Sequence, residues 1–193
     1  MTSKASHRWS AKPFKPTKEE IAAAFGKRVP DVIARDLRVL FCGINPGLYT
    51  AAVGHHFARP GNRFWPALHR SGFTPNQLSP FEEDQLLLTG VGITNVVARA
   101  TATAAELTKA DFLEGGRKLR AKIRRYQPRI LAVLGVGAYR EAFDRPKASI
   151  GPQAELIHTT RVWVLPNPSG LNANYQLEAL VKLFQDLRKK SMV

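Results

Sequence analysis

The sequence predicts an α/β protein: a single-domain, three-layer α/β/α arrangement around a mostly parallel central sheet. Three observations carry that expectation. Short apolar runs alternate with helical segments along the chain, the pattern of parallel strands joined by crossover helices. Gly/Pro/Asn-rich loops follow two of those runs, where open parallel sheets place their ligands. The 193 residues are 44% hydrophobic, which suits one domain with a sizeable core.

The elements follow in order. Residues 1–18 carry Lys4, Arg8, Lys12, Lys15 and Lys18, no acid, and prolines at Pro13 and Pro16. They read as a disordered basic arm, with Trp9 and Phe14 as contacts, ahead of a domain spanning 19–193. Thr17 to Glu20 has the S/T-x-x-E form of a capping box and opens a helix through "IAAAFGKR". Leu37 to Cys42, "LRVLFC", reads as a buried strand, followed by a loop from Gly43 to about Gly61. "NRFWPALHR", Asn62 to Arg70, reads as a helix with Pro66 in its first turn. "PFEEDQLLLTG" gives another short helix and "VGITNVV" a strand. Thr108 to Tyr126 is a longer helix with a basic face of Arg117, Lys118, Lys122, Arg124 and Arg125. "RILAVLG" is a strand, "VGAYREAF" a helix, and "AELIHTT" and "RVWVLP" are strands. A helix from about Asn174 to Lys189 closes the chain.

Charge is the strongest global signal. Lys and Arg total 29 against 15 Asp and Glu, a formal net charge of +14. A polyanionic partner is expected, and nucleic acid is the commonest one. No acid lies between Asp36 and Glu82, and none between Glu155 and Glu178. A carboxylate facing a phosphate backbone would be repelled, so acid-free stretches suit such a partner. There is no apolar run of membrane-spanning length and no apolar signal core, so a cytoplasmic location is expected, at the nucleoid if the source is bacterial. One cysteine, Cys42, excludes disulfide frameworks, Cys-rich zinc sites and iron–sulfur clusters within the chain.

The two acid-free stretches contain "GINPG", Gly43 to Gly47, and "LPNPSGLN", Leu165 to Asn172. Each follows a strand, so both are candidates for one crevice. Neither GxGxxG nor GxxxxGK[ST] is present. Ser169 lies in "NPSGLN", not in G-x-S-x-G. Cys42 closes an apolar strand and reads as core. His55 and His56 have no acid nearby in sequence to complete a metal ligand set, and a structural or phosphate-contacting role is the expectation. A lone N-P-G is ordinarily a turn with an Asx hydrogen bond. Its echo in the second acid-free stretch shifts the balance toward function.

These two segments resemble the paired signatures of the uracil-DNA glycosylase superfamily. "FARPGNRFWPALHRSGF" and "GGRKLRAKIRRYQPRILAVLG" are similar to its mismatch-specific branch, the mismatch uracil- and thymine-DNA glycosylases. The resemblance runs from about Leu37 to Leu187 and leaves the basic arm outside.

The resemblance implies hydrolysis of an N-glycosidic bond by a cofactor-free, metal-free monomer acting on double-stranded DNA with G:U or related mismatches. Asn45 falls at the catalytic position and would hold the attacking water. The base pocket would comprise backbone groups around Ile44 and Phe57, the Phe57 ring, Asn62, and Asn95 at the end of "GITN". Strict uracil enzymes carry Tyr where Gly47 stands, so room for thymine or ethenocytosine is implied. Leu171 matches the wedge that fills the flipped nucleotide's place, with Ser169, Gly170 and Asn172 on the orphaned guanine. Asn167 stands where strict uracil enzymes have His, which implies slower chemistry. "VARAT" departs from the relatives' "VDRPT", leaving Ala98 at an acidic position. Two alternatives stay open here: a non-catalytic mismatch-binding protein on the same fold, and a strictly uracil-specific branch, against which Gly47 and Asn167 speak.

Overall fold

The structure is a computed structural model and describes residues 13–192. Five strands form one sheet: β1 (Val39–Gly43), β2 (Val91–Asn95), β3 (Ile130–Leu134), β4 (Gly151–Ile157) and β5 (Thr160–Leu165). Their spatial order is β2-β1-β3-β5-β4. All neighbours are parallel except the β4–β5 hairpin at the edge. The helices are α1 (Lys18–Ala22), α2 (Leu48–Val53), α3 (Phe64–Arg70), α4 (Lys109–Tyr126), α5 (Val136–Phe143) and α6 (Leu177–Ser191). This is the expected α/β fold, a mostly parallel sheet flanked by helices.

The period-two alternation of each strand sorts its side chains into two cores. Val39, Phe41, Ile93, Ala132 and Leu165 face α3 and α6, while Leu40, Cys42, Leu131, Val133 and Val164 face α4 and α5. The Phe41 ring lies 5.4 Å from the rings of Phe64, Phe73 and Phe184. Phe64 in turn stacks on Phe57 at 4.2 Å. An aromatic column therefore leads from the middle of the sheet to the loop after α2.

Helix ends follow local chemistry. The Thr17–Glu20 capping box is formed, as is that of Thr108 and Asp111 on α4. Pro66 sits in the first turn of α3, where its missing N–H costs nothing.

Four sequence expectations need correction. α1 ends at Ala22, not at Arg28, because Ala24 is buried and the chain then runs extended against other segments. Gly26 N–H donates to Ala100 O, Arg28 bridges Arg99, and Val32 bridges Ile93 on the edge strand β2. The loop from Gly43 to Gly61 contains α2, six residues between Gly47 and a left-handed Gly54. "PFEEDQLLLTG" is 3-10 rather than α-helical. The basic face of α4 is not one row of free cations. Lys122 turns inward to Asp31 and Thr94, and Arg117 and Lys118 pair with Glu114. At the N-terminus, Trp9 lies outside the described residues, whereas Phe14 rests against Phe81 at 6.3 Å.

Candidate active site

The four parallel strands end on one side of the sheet, and a cleft of about 450 Å³ opens beyond them. Both Asn-Pro segments reach it. Ile44, Asn45 and Gly47 line one wall; Asn167, Ser169 and Leu171 line another; Phe57, Asn62 and Asn95 complete it. Among the described residues, no Asp or Glu lines the cleft, and Arg59 is the one Lys or Arg that does.

Asn45 lies two residues past the end of β1 and is half-buried. Its Nδ2, with two protons, faces three acceptors: Thr101 Oγ1 at 2.8 Å, Arg99 O at 3.1 Å and Pro46 O at 3.2 Å. The Thr101 hydroxyl spends its own proton on Thr103 O at 2.7 Å. It can therefore only accept from Asn45, and Arg99 O and Pro46 O are acceptors too. The amide is thereby fixed with nitrogen inward. Its Oδ1 receives no hydrogen bond among the described residues and is free to accept one in the cleft. Arg99 is itself held by a two-point ion pair with Asp111, which completes the capping box of α4 with Thr108. Hydrogen bonds from Arg99 and then Thr108 hold the Asp111 carboxyl well below the usual range.

The opposite wall is built on His56, which is 1% exposed. Its Nε2 lies 3.0 Å from Pro30 O, a pure acceptor, so Nε2 carries a proton. Burial pushes its pKa down, against the pull of Glu83, and the ring is neutral. Nδ1 is then a lone pair, and Asn95 Nδ2 donates to it at 3.4 Å. Asn95 Oδ1 packs over Gly43, where a Cβ would collide with it. The identity of a residue in β1 thus fixes the amide at the end of β2. Phe57 holds a left-handed backbone (φ 54°), and its N–H makes no hydrogen bond among the described residues. Glu83 accepts from the main-chain N–H of His56 at 2.7 Å and from His55 Nδ1 at 2.8 Å. The acid absent from the local sequence around the two histidines comes from a distant segment. Among the described residues, no three His, Cys, Asp or Glu side chains gather into a metal-holding group.

The second Asn-Pro segment is ordered by its own amides. Asn167 Oδ1 accepts from Ser169 N–H at 3.0 Å, and Asn172 Nδ2 returns to Asn167 O at 2.9 Å. Gly170 passes so close to Gly61 that an added Cβ would sit 2.5 Å from its carbonyl oxygen. Leu171 stands out at the tip, 74% exposed. Gly47 borders open space, since a Cβ there would meet nothing within 4 Å. Ala98 is exposed and lines a neighbouring depression with Arg99 and Asp111, not this cleft. Cys42 is fully buried, and burial pushes its thiol pKa far up, which leaves it inert.

A sequence model of the Uracil DNA glycosylase superfamily matches residues 30–188. The chain belongs to that superfamily. Its members are DNA glycosylases, hydrolases that remove damaged bases from DNA at the start of base excision repair. The superfamily match embraces both Asn-Pro segments and every residue lining the cleft. Three contributors were invisible to motif reading: Thr101, the His56–Asn95 bond, and the side chain of Arg63. Thr101 lies in the quoted "VARAT", but a hydroxyl there signals nothing until the fold brings it to Asn45. No helix among the described residues is long and apolar enough to cross a membrane.

Proposed function

We propose that this superfamily member is a mismatch-directed glycosylase that flips uracil from G:U pairs and hydrolyses its glycosidic bond. The carrying observation is the fixed amide of Asn45, which lines a cleft without any Asp or Glu among the described residues and whose oxygen receives no hydrogen bond among them. Such a group orients a water and takes no proton. The C1′–N1 bond breaks with its electron pair leaving on the base. The water oxygen bonds to C1′ and its proton passes to solvent. N–H groups near Ile44 and Phe57, with the Asn95 amide, meet the charge that develops on the departing ring. The aromatic face of Phe57 supports the extruded base.

The open ground beside Gly47 supports a pocket that admits a 5-methyl group or an etheno adduct. Discrimination by a missing methyl contact is worth only ~1–3 kcal/mol, so thymine is a slower substrate rather than an excluded one. Exposed Leu171 is the wedge, and Ser169, Gly170 and Asn172 meet the orphaned guanine. The Asn167 that stands in place of a histidine fits modest turnover.

Single-turnover assays on G:U, A:U and G:T duplexes and on single-stranded uracil, reading abasic sites, test this. Cleavage ordered G:U, then A:U and G:T, is expected. Tight mismatch binding with no abasic product would establish the non-catalytic reading, which the acid-free cleft also permits.

A further inference from the structure

Arg63, the N-cap residue of α3, reaches across to the second Asn-Pro segment with both terminal nitrogens. Nη1 donates to Asn172 O at 2.9 Å and to Ser169 O and Tyr175 O at 3.1 Å. Nη2 donates to Gly170 O at 3.2 Å and to Gln176 Oε1 at 3.1 Å. Its main-chain N–H adds a bond to Pro168 O at 2.9 Å. A guanidinium serving four carbonyls of one loop, and no carboxylate among the described residues, is organising backbone rather than balancing charge.

We propose that Arg63 is the positioning residue of the wedge: it holds 167–176 in the shape in which Leu171 enters DNA. The proposal rests on the glycosylase reading above. In a trans peptide, C=O and N–H point oppositely. Carbonyls drawn in to Arg63 therefore turn the N–H groups of Gly170 and Ala173 outward. The loop is ordered before DNA arrives, so the entropy of ordering it is not charged to binding. The neighbouring Asn62 lines the base cleft and fixes its Oδ1 on Phe64 N–H at 2.9 Å. Arg63 thus ties the wedge to the pocket wall, and insertion and capture move as one body.

The test combines Arg63→Met, Arg63→Lys and Leu171→Ala. If Arg63 acts through Leu171, Arg63→Met should cost more on A:U than on G:U, and least on single-stranded uracil. In the Leu171→Ala background it should cost under about twofold more, because the two substitutions remove one function. Arg63→Lys should recover little, since an ammonium keeps the charge but not the fork. Losses that multiply in the double variant, or that are equal on all three substrates, overturn the proposal. Amide hydrogen exchange supplies an arm independent of catalysis. In the wild-type protein the Asn172 N–H, bonded to Ser169 O at 2.9 Å, should be protected, and Arg63→Met should speed its exchange about tenfold or more while α4 is unchanged. Wild-type exchange at the rate of a free peptide overturns the clamp even if Arg63→Met does not fold. If the wild type forms no abasic site on any substrate, the glycosylase reading fails while the exchange result still judges the clamp.

Discussion

Asn45 and Thr101 share a hydrogen bond of 2.8 Å whose direction is fixed, because the threonine hydroxyl has already given its proton to Thr103 O. The amide of Asn45 is therefore fixed in one orientation, and its oxygen is left without a hydrogen bond among the described residues. Asn45→Ala should abolish base release and leave duplex binding nearly intact. Thr101→Val removes the anchor but not the amide. It should lower the single-turnover rate about 10–100-fold, the order of cost expected when a reacting group is misplaced. Near-normal turnover by Asn45→Ala would rule out the water-holding role.

His56 should make the pocket pH-sensitive. Its folded pKa lies below the unfolded value of about 6.5 because burial opposes the charge. For a depressed histidine, the stabilisation is complete above that unfolded value. It is lost as pH falls from there through the folded pKa, since the unfolded state then binds the extra proton. Protonation also places a donor at Nδ1 against the Asn95 amide donor. Both melting temperature and uracil release should fall below about pH 6.5. His56→Gln, which stays neutral, should show a flatter melting profile over the same interval. Parallel profiles for the two proteins would contradict the assignment.

Binding should weaken steeply with salt, because the acid-free segments and a net charge of +14 favour several phosphate contacts. Deleting 1–12, which removes Lys4, Arg8 and Lys12, should weaken nonspecific binding more than it slows reaction on bound substrate. Titrations between low and moderate salt check this, and a flat affinity would refute it.

If Leu171 is the wedge proposed above, Leu171→Ala should remove support that matters most when the target base is well paired. Flipping costs a few kcal/mol, less at a mismatch. The variant should lose proportionally more activity on A:U than on G:U. Equal loss on every pairing would sink the wedge.

At Gly47 an added Cβ meets nothing within 4 Å and the backbone is ordinary (φ −73°), so Gly47→Tyr starts from an unobstructed position. The ring should occupy the room beside C5 of the base, so G:T cleavage should fall further than G:U. An unchanged thymine-to-uracil ratio would sink the pocket assignment.

The strands and α4 were readable because their causes are local. "ILAVL" is apolar throughout, and Thr108 with Asp111 announces the start of α4. α2 escaped notice because "LYTAAV" is six residues between glycines with no side-chain cap. What ends α1 short of Arg28 is tertiary, and so has no local signal: Ala24 buries and Gly26 pairs with Ala100. The same division holds at the cleft. Asn45 and Leu171 sit in motifs. Thr101, 56 positions away from Asn45, and Arg63, 109 positions from Asn172, act through bonds that spacing does not encode.

The aromatic column from Phe41 through Phe64 to Phe57 joins two properties that evolution usually tunes apart. Its inner members set how firmly the sheet grips α3 and α6; its outer member borders the cleft. A substitution at Phe41 that softens the core would also loosen the ring at the column's end. On the glycosylase reading, core rigidity and base discrimination should then vary together: whatever slackens the packing under the sheet should also slacken the ring that meets the extruded base.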